Sequence, residues 1–119
     1  LKKRFNLEAG FFAKEGQYVY AVNDISFSLN ENHKITSIPN NAFEKCSRLV
    51  TVNMSKTVKE IGVKAFFECK DLGTVTFAEN SVINKIADNA FLDCSSLYKI
   101  TIPGSVSELG EGVFNTSLK

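Results

Sequence analysis

Cys46, Cys69, Cys94, the single histidine His33 and 13 carboxylates are the side chains of this 119-residue sequence best suited to hold a metal or to move a proton near neutral pH. Zinc takes four converging ligands, usually in close C-x-x-C pairs, whereas these cysteines stand 23 and 25 residues apart. An odd number of cysteines cannot all pair within the chain. His33 lies in the polar run Asn30-Glu31-Asn32-His33-Lys34 and reads as a solvated loop histidine. The acidic residues fall mostly in loops, as at Glu79, Asp88, Glu108 and Glu111, and acid–base work needs two of them convergent in a cleft. No catalytic residue, no cofactor-binding residue and no metal site is therefore expected. Asn53-Met54-Ser55 and Asn115-Thr116-Ser117 match the N-glycosylation acceptor. A glycan on Asn53 would stand on a strand and obstruct it.

Regular placement is the more telling property of the cysteines. The pairs Ala42-Phe43, Ala65-Phe66, Ala90-Phe91 and Val113-Phe114 recur at intervals of 23, 25 and 23 residues, and each of the first three is followed by its cysteine at a constant offset of three. A period in this range marks a solenoid, propeller or array. Aligned on the Phe, the repeat reads [VI]-x-x-[IL]-x-x-x-[AV]-F-x-x-C-x-x-L-x-x-[VI]-x-[FIM]. The three full copies begin at Ile35, Val58 and Ile83 and match at every defined position. A fourth begins at Val106 and reaches Leu118 early and without its Cys. Val22, Ile25 and Phe27 fill the last three slots of a half copy before the first.

Each unit contains one short alternation, Val52-x-Met54, Val75-x-Phe77 or Ile100-x-Ile102, which predicts a strand. Strands this far apart cannot form hairpins, so successive units place them side by side in parallel. The stretch A-F-x-x-C-x-x-L puts apolar residues on one face of a helical turn, predicting one or two such turns per unit. No unit can bury its apolar face alone, and stacking makes the core continuous. Within such a stack the cysteines form a column of small buried thiols; disulfides between them would need facing Cβ vectors, and these run parallel. Residues 1–21 do not fit the repeat. Phe5, Leu7 and Ala9 alternate with polar residues and Tyr18 to Val22 is aromatic and β-branched, which predicts two short strands in an N-terminal capping segment or a degenerate repeat. Residues 22–119 carry the repeats, about four coils with the last one truncated.

Composition excludes some partners. Hydrophobic residues make up 44% and charged residues 23%, as in a folded globular chain, and the net charge of +1 supplies no field for nucleic acid or an anionic membrane. The longest apolar run, Tyr18 to Val22, falls far short of the roughly 20 residues of a membrane span. Lys2-Lys3-Arg4 reads as a solvated terminus rather than a nucleic-acid arm. The sequence starts at Leu1, so an upstream piece is expected to be missing.

The motif I-G-x-x-A-F-x-x-C-x-x-L at Ile61 to Leu72 resembles the BspA-like leucine-rich repeats found in surface antigens of bacteria and some protists, and Ile102-Pro103-Gly104-Ser105-Val106 follows the same consensus. The resemblance covers about residues 22–119. It implies an α/β repeat solenoid, a right-handed coil with one curved parallel β-sheet and short helical turns on the opposite side. The sequence departs from ordinary leucine-rich repeats at the third position past the strand, where Thr57, Asn80 and Ser105 stand, so the usual asparagine ladder is not expected. Gly62 and Gly110 are replaced by Pro39 and Ala87 in the other coils, which predicts turns of varying geometry.

The resemblance further implies a non-enzymatic binding or adhesion module of a surface or secreted protein, whose partner is a host or neighbouring-cell surface or matrix protein or a glycan; a monomer is expected. A rigid spacer within a larger surface protein is the competing class. If Val52, Met54, Val75, Phe77, Ile100 and Ile102 point inward, then Thr51, Asn53, Ser55, Thr74, Thr76, Lys99 and Thr101 point outward along one sheet face. The candidate contact row is Thr51, Asn53, Thr74, Thr76, Lys99 and Thr101, with Tyr98 at its rim.

Overall fold

A computed structural model describes the backbone of residues 11–14, 17–20 and 26–28 and all atoms of residues 35–114. The half-copy residues Val22 and Ile25, the segment Phe5 to Ala9, His33, the Lys2-Lys3-Arg4 cluster, the Asn115 sequon and Leu118 lie outside the described residues.

Strands β1 (Phe11–Lys14) and β2 (Gln17–Tyr20) form an antiparallel hairpin. The aromatic run from Tyr18 thus begins inside a strand, and the strand pairing with it is Phe11–Lys14. Beyond the hairpin the chain winds as a stack of coils beginning at Ile35, Val58, Ile83 and Val106. Strands β3 (Ser26–Ser28), β5 (Thr51–Met54) and β7 (Thr74–Phe77) make one parallel sheet in which Val52 pairs Val75 and Met54 pairs Phe77. A second parallel sheet is built from two-residue strands, β4 (Ser37–Ile38), β6 (Glu60–Ile61), β8 (Lys85–Ile86) and β9 (Glu108–Leu109). The single sheet expected from the alternation is therefore two. The second arises at the [VI]-x-x-[IL] segment, too short for any period to mark.

The predicted helical turns are absent: no described residue is helical. The A-F-x-x-C-x-x-L stretch is instead a run of β-turns. In the coil beginning at Ile35 the N–H of Ala42 donates to the Pro39 carbonyl at 3.2 Å, that of Cys46 to Phe43 at 3.1 Å and that of Leu49 to Cys46 at 3.1 Å, and the coils beginning at Val58 and Ile83 repeat the pattern. Two residues around this stretch take positive φ in each of the three full coils, Asn41 and Lys45, Lys64 and Glu68, Asn89 and Asp93. Each is the third residue of a turn closed by an i to i+3 bond, the type II arrangement. Such kinks turn alternate amides out of the coil, where they bond to the next one. Phe43 N–H reaches the Ala65 carbonyl at 2.7 Å and Phe66 N–H reaches Ala90 at 2.8 Å. Amides that a helix would satisfy internally are thereby spent between coils.

The turn that precedes each Ala-Phe pair has the same form in all three full coils. Its closing bonds, to Pro39, Gly62 and Ala87, measure 3.2, 3.2 and 3.3 Å. The expected variation in turn geometry is thus not found. The longer 25-residue interval comes from two extra residues between Phe77 and Ile83, where Asn80 takes φ 63° and Ser81 Oγ accepts the N–H of Ile83.

The core is the inner lining of the stack. Ile35, Ile38, Phe43, Leu49, Ile61, Phe66, Leu72, Ile83, Ile86 and Phe91 are the largest of its fully buried side chains. Among the described residues four phenylalanine rings form one column. Phe43 to Phe66, Phe66 to Phe91 and Phe91 to Phe114 lie at centroid distances of 5.3, 5.2 and 5.7 Å, with ring planes within 10° of parallel. Offset or stacked aromatic pairs of this kind add to the area they bury.

Candidate functional site

The cysteine column belongs to this interior. Cys46, Cys69 and Cys94 are buried thiols, none in a disulfide. The thiol of Cys69 donates to the Phe43 carbonyl at 3.0 Å and that of Cys94 to the Phe66 carbonyl at 3.0 Å, so each joins its coil to the one before. Burial, reinforced by Cys94 and Cys46 on either side, holds the Cys69 thiol well above its ordinary range. A thiol kept protonated is a hydrogen-bond donor and a poor nucleophile. Among the described residues no group of His, Cys, Asp and Glu side chains is placed to hold a metal ion. Nor do they include a helix long and apolar enough to cross a membrane.

In two of the three full coils a hydroxyl takes the corner where the asparagine of ordinary leucine-rich repeats would stand, and the coil beginning at Val58 has Asn80 there. Thr57 Oγ1 donates to the Ile35 carbonyl of the preceding coil at 2.8 Å, and Ser105 Oγ donates to the Ile83 carbonyl. Ser55, expected to point outward, is instead buried and its hydroxyl lies 2.8 Å from that of Thr57.

Of the candidate contact row, four residues stand together on the outer sheet face. Thr51 pairs Thr74 and Asn53 pairs Thr76 across β5 and β7, and Thr76 Oγ1 donates to Asn53 Oδ1 at 2.6 Å. Val52, Met54 and Val75, which alternate with them, are buried. The other three candidates are not on that sheet. Residues 98–103 form no strand, and β7 is the edge of its sheet. Lys99 and Thr101 are exposed, as is Tyr98 at 73%, and Ile100 and Ile102 are only half-buried. Alternation along Ile100-x-Ile102 is a sound strand signal, but a strand also needs backbone bonds to a neighbour, and none joins this segment to β7.

Between the two lies a groove of about 620 Å³. Thr74, Thr76 and Phe77 line one wall and Tyr98, Lys99 and Thr101 the other. All but Phe77 of these belong to the predicted row, so the row reappears as two walls of a cleft rather than one flat face. Sequence reasoning missed the cleft, because it depends on one strand failing to close on another.

The fold has relatives. A leucine-rich repeat protein from Bacteroides ovatus aligns with a TM-score of 0.65 at 22% identity over 84% of this chain and 29% of that one. A leucine rich cell surface protein from Faecalibacterium prausnitzii aligns with a TM-score of 0.63 at 26% identity over 97% of this chain and 27% of that one. The pneumococcal vaccine antigen PcpA gives 0.56 at 24% identity, over 87% and 30%. The chain thus spans less than a third of the length of each of these proteins. No curated protein matches it. Residues 16–119 match the BspA type leucine rich repeat region in six copies. With parallel strands stacked coil on coil and this match over most of its length, the chain belongs to the BspA-type leucine-rich repeat family.

Proposed function

We propose that this chain is a non-enzymatic binding module of a surface or secreted protein, and that it contacts a protein or glycan partner through the polar row and the cleft beside it. One observation carries the reading. Thr51, Thr74, Asn53 and Thr76 are set side by side in register on a sheet face, with the exposed ring of Tyr98 across the cleft from them. Rigid, register-matched polar groups next to an exposed aromatic ring suit a partner that docks without refolding. The surface location follows the description of the F. prausnitzii relative as a cell surface protein and of PcpA as an antigen. The coil is taken as right-handed, as crossovers between parallel strands of one sheet nearly always are. Residues 1–21 are taken as an N-terminal capping segment or a degenerate repeat, the module as a monomer, and neither nucleic acid nor membrane as a partner.

A rigid spacer is favoured by one feature of the same face: among its four sheet residues none is charged or aromatic. The two readings separate in a pull-down of matrix proteins and glycans with the intact chain, repeated with Thr76→Lys/Thr101→Lys. Both side chains are exposed, and exposed substitutions usually change stability by no more than about 0.5 kcal/mol. Capture by the parent chain and loss in the double variant are expected. Unchanged capture moves the contact off this face, and no capture at all supports the spacer.

A further inference from the structure

The second and third coils are joined along two of their three runs and open along the other. On the turn side Lys64, Phe66 and Glu68 donate to the carbonyls of Asp88, Ala90 and Leu92 at 3.1, 2.8 and 2.8 Å. On the side of the two-residue strands Asn84 donates to Lys59 at 2.8 Å and Ala87 to Ile61 at 2.9 Å. The first and second coils are also joined on the third run, where Gly73 and Thr74 donate to Val50 and Ala78 donates to Met54. No equivalent bond links β7 to residues 98–103. The repeat aligns Val75 with Ile100 and Phe77 with Ile102, yet the cleft lies between them.

The groups left open can be named. The N–H groups of Thr74 and Ala78 point to β5, and main-chain groups alternate sides along a strand. Those of Val75 and Phe77 therefore face the cleft, and β7 has no strand on that side. Val75 is only 5% exposed and Phe77 is half-buried, so the donor and acceptor of Val75 are recessed and those of Phe77 lie nearer the surface. Buried main-chain groups without partners are costly, and an extended chain is what supplies complementary groups at their spacing of about 6.6 Å. A glycan has no such periodic backbone.

We propose that the cleft is a seat for one extended peptide segment of a partner protein, laid parallel to β7 and hydrogen-bonded to the main chain of Val75 and Phe77. The proposal rests on the binding reading above and names the chemistry of its ligand. Such a segment sets alternate side chains against Val75, Phe77 and Ile100, which calls for apolar, β-branched residues there, and the remaining ones beside Thr74, Thr76 and Tyr98. Addition of a strand to an open sheet edge is a recurrent mode of peptide recognition.

The test uses the full chain and a fluorescently labelled synthetic peptide copying Leu97 to Gly104, the segment that the repeat register assigns to this place, followed by fluorescence anisotropy. Two further peptides carry N-methyl groups on alternate residues, one on each of the two alternating sets. Saturable binding of the parent peptide is expected, with a loss of about tenfold or more for one methylated set and little change for the other, since only one set bonds to β7. Absence of binding would show that residues 99–102 fill the seat themselves and would overturn the proposal. Equal affinity of all three peptides would mean capture by side chains alone and would overturn it too. A dimer of the chain that the peptide dissociates would also sink it, because the occupant would then be a second copy. A partner still captured in the pull-down when the peptide fails to bind leaves the broader binding reading intact; peptide binding without any captured partner removes that reading and keeps the seat.

Discussion

Asn40 Oδ1 occupies the space that a side chain on Gly62 would need, 2.5 Å from the position of an ideal Cβ there. The same oxygen accepts the N–H of Val63 at 2.8 Å. The arrangement recurs between the third and fourth coils, where Asp88 Oδ1 accepts the N–H of Glu111 at 2.9 Å and fills the place of a Cβ on Gly110. The junction between these two is different. There Val63 stands where Asn40 and Asp88 do and offers no side-chain acceptor, and Ala87 takes the place of glycine in the next coil. Glycine in this repeat thus answers to the neighbouring coil, to its backbone as well as its side chain, and not to its own turn, whose closing bond is the same with Pro39, Gly62 or Ala87.

Gly62→Ala is expected to destabilise the chain by about 1–3 kcal/mol, as overpacking does. Asn40→Ala in the same chain should not restore it, because Asn40 N and Pro39 C also lie within 2.8 Å of the added Cβ. Denaturant midpoints of the single and double variants check this; full recovery in the double variant would assign the whole clash to the Asn40 side chain.

Phe66 has a stacked ring on each side and is fully buried, while Phe114 is half-buried and has Phe91 as its stacked neighbour among the described residues. Phe66→Ala should cost about 3–5 kcal/mol and Phe114→Ala clearly less. Stability in a stack of coils is roughly a sum of local and nearest-neighbour contributions, so equal losses from chemical denaturation of the two variants would contradict that additivity.

Folding raises the pKa of Cys69. An acid of this kind is bound more tightly to its proton in the native state, so its contribution is fully present below the unfolded thiol's value of about 8.5 and is lost as pH rises toward the folded value. The denaturation midpoint of the parent chain should therefore fall between about pH 8 and pH 10 by more than that of Cys69→Ala. Parallel falls in the two would remove Cys69 as a cause. At neutral pH all three thiols should resist a thiol reagent until denaturant is added.

Thr57→Val keeps the shape of the side chain and removes its donor to the Ile35 carbonyl. A loss of about 0.5–1.5 kcal/mol is expected, read from urea denaturation, with Thr57→Ser retaining most of the stability. A valine variant as stable as the parent would show that the hydroxyl at this corner does not tie the coils together.

The repeat, its length and its lining are legible in the sequence, because burial inside a stack demands an apolar residue at the same place in each coil. Ile35, Phe43, Cys46, Leu49 and Val52 stand out by recurrence alone, and all are buried. Parallel strands at Val52-x-Met54 and Val75-x-Phe77 follow from alternation and from spacing too long for hairpins. Some finer signals are present but ambiguous. Asn41, Asn89 and Gly112, each directly before an apolar pair, are residue types that tolerate positive φ, and Asn40 with Gly62 and Asp88 with Gly110 recur 22 residues apart. The tertiary structure decided what local pattern leaves open. The spacing of A-F-x-x-C-x-x-L fits a helical turn as well as a run of β-turns, and the choice fell to turns because amides directed outward can bond to the next coil. Likewise Lys99 to Ile102 has the pattern of a strand, but a strand exists only beside a partner, and the distance to β7 is set by how whole coils pack rather than by any residue of the segment itself.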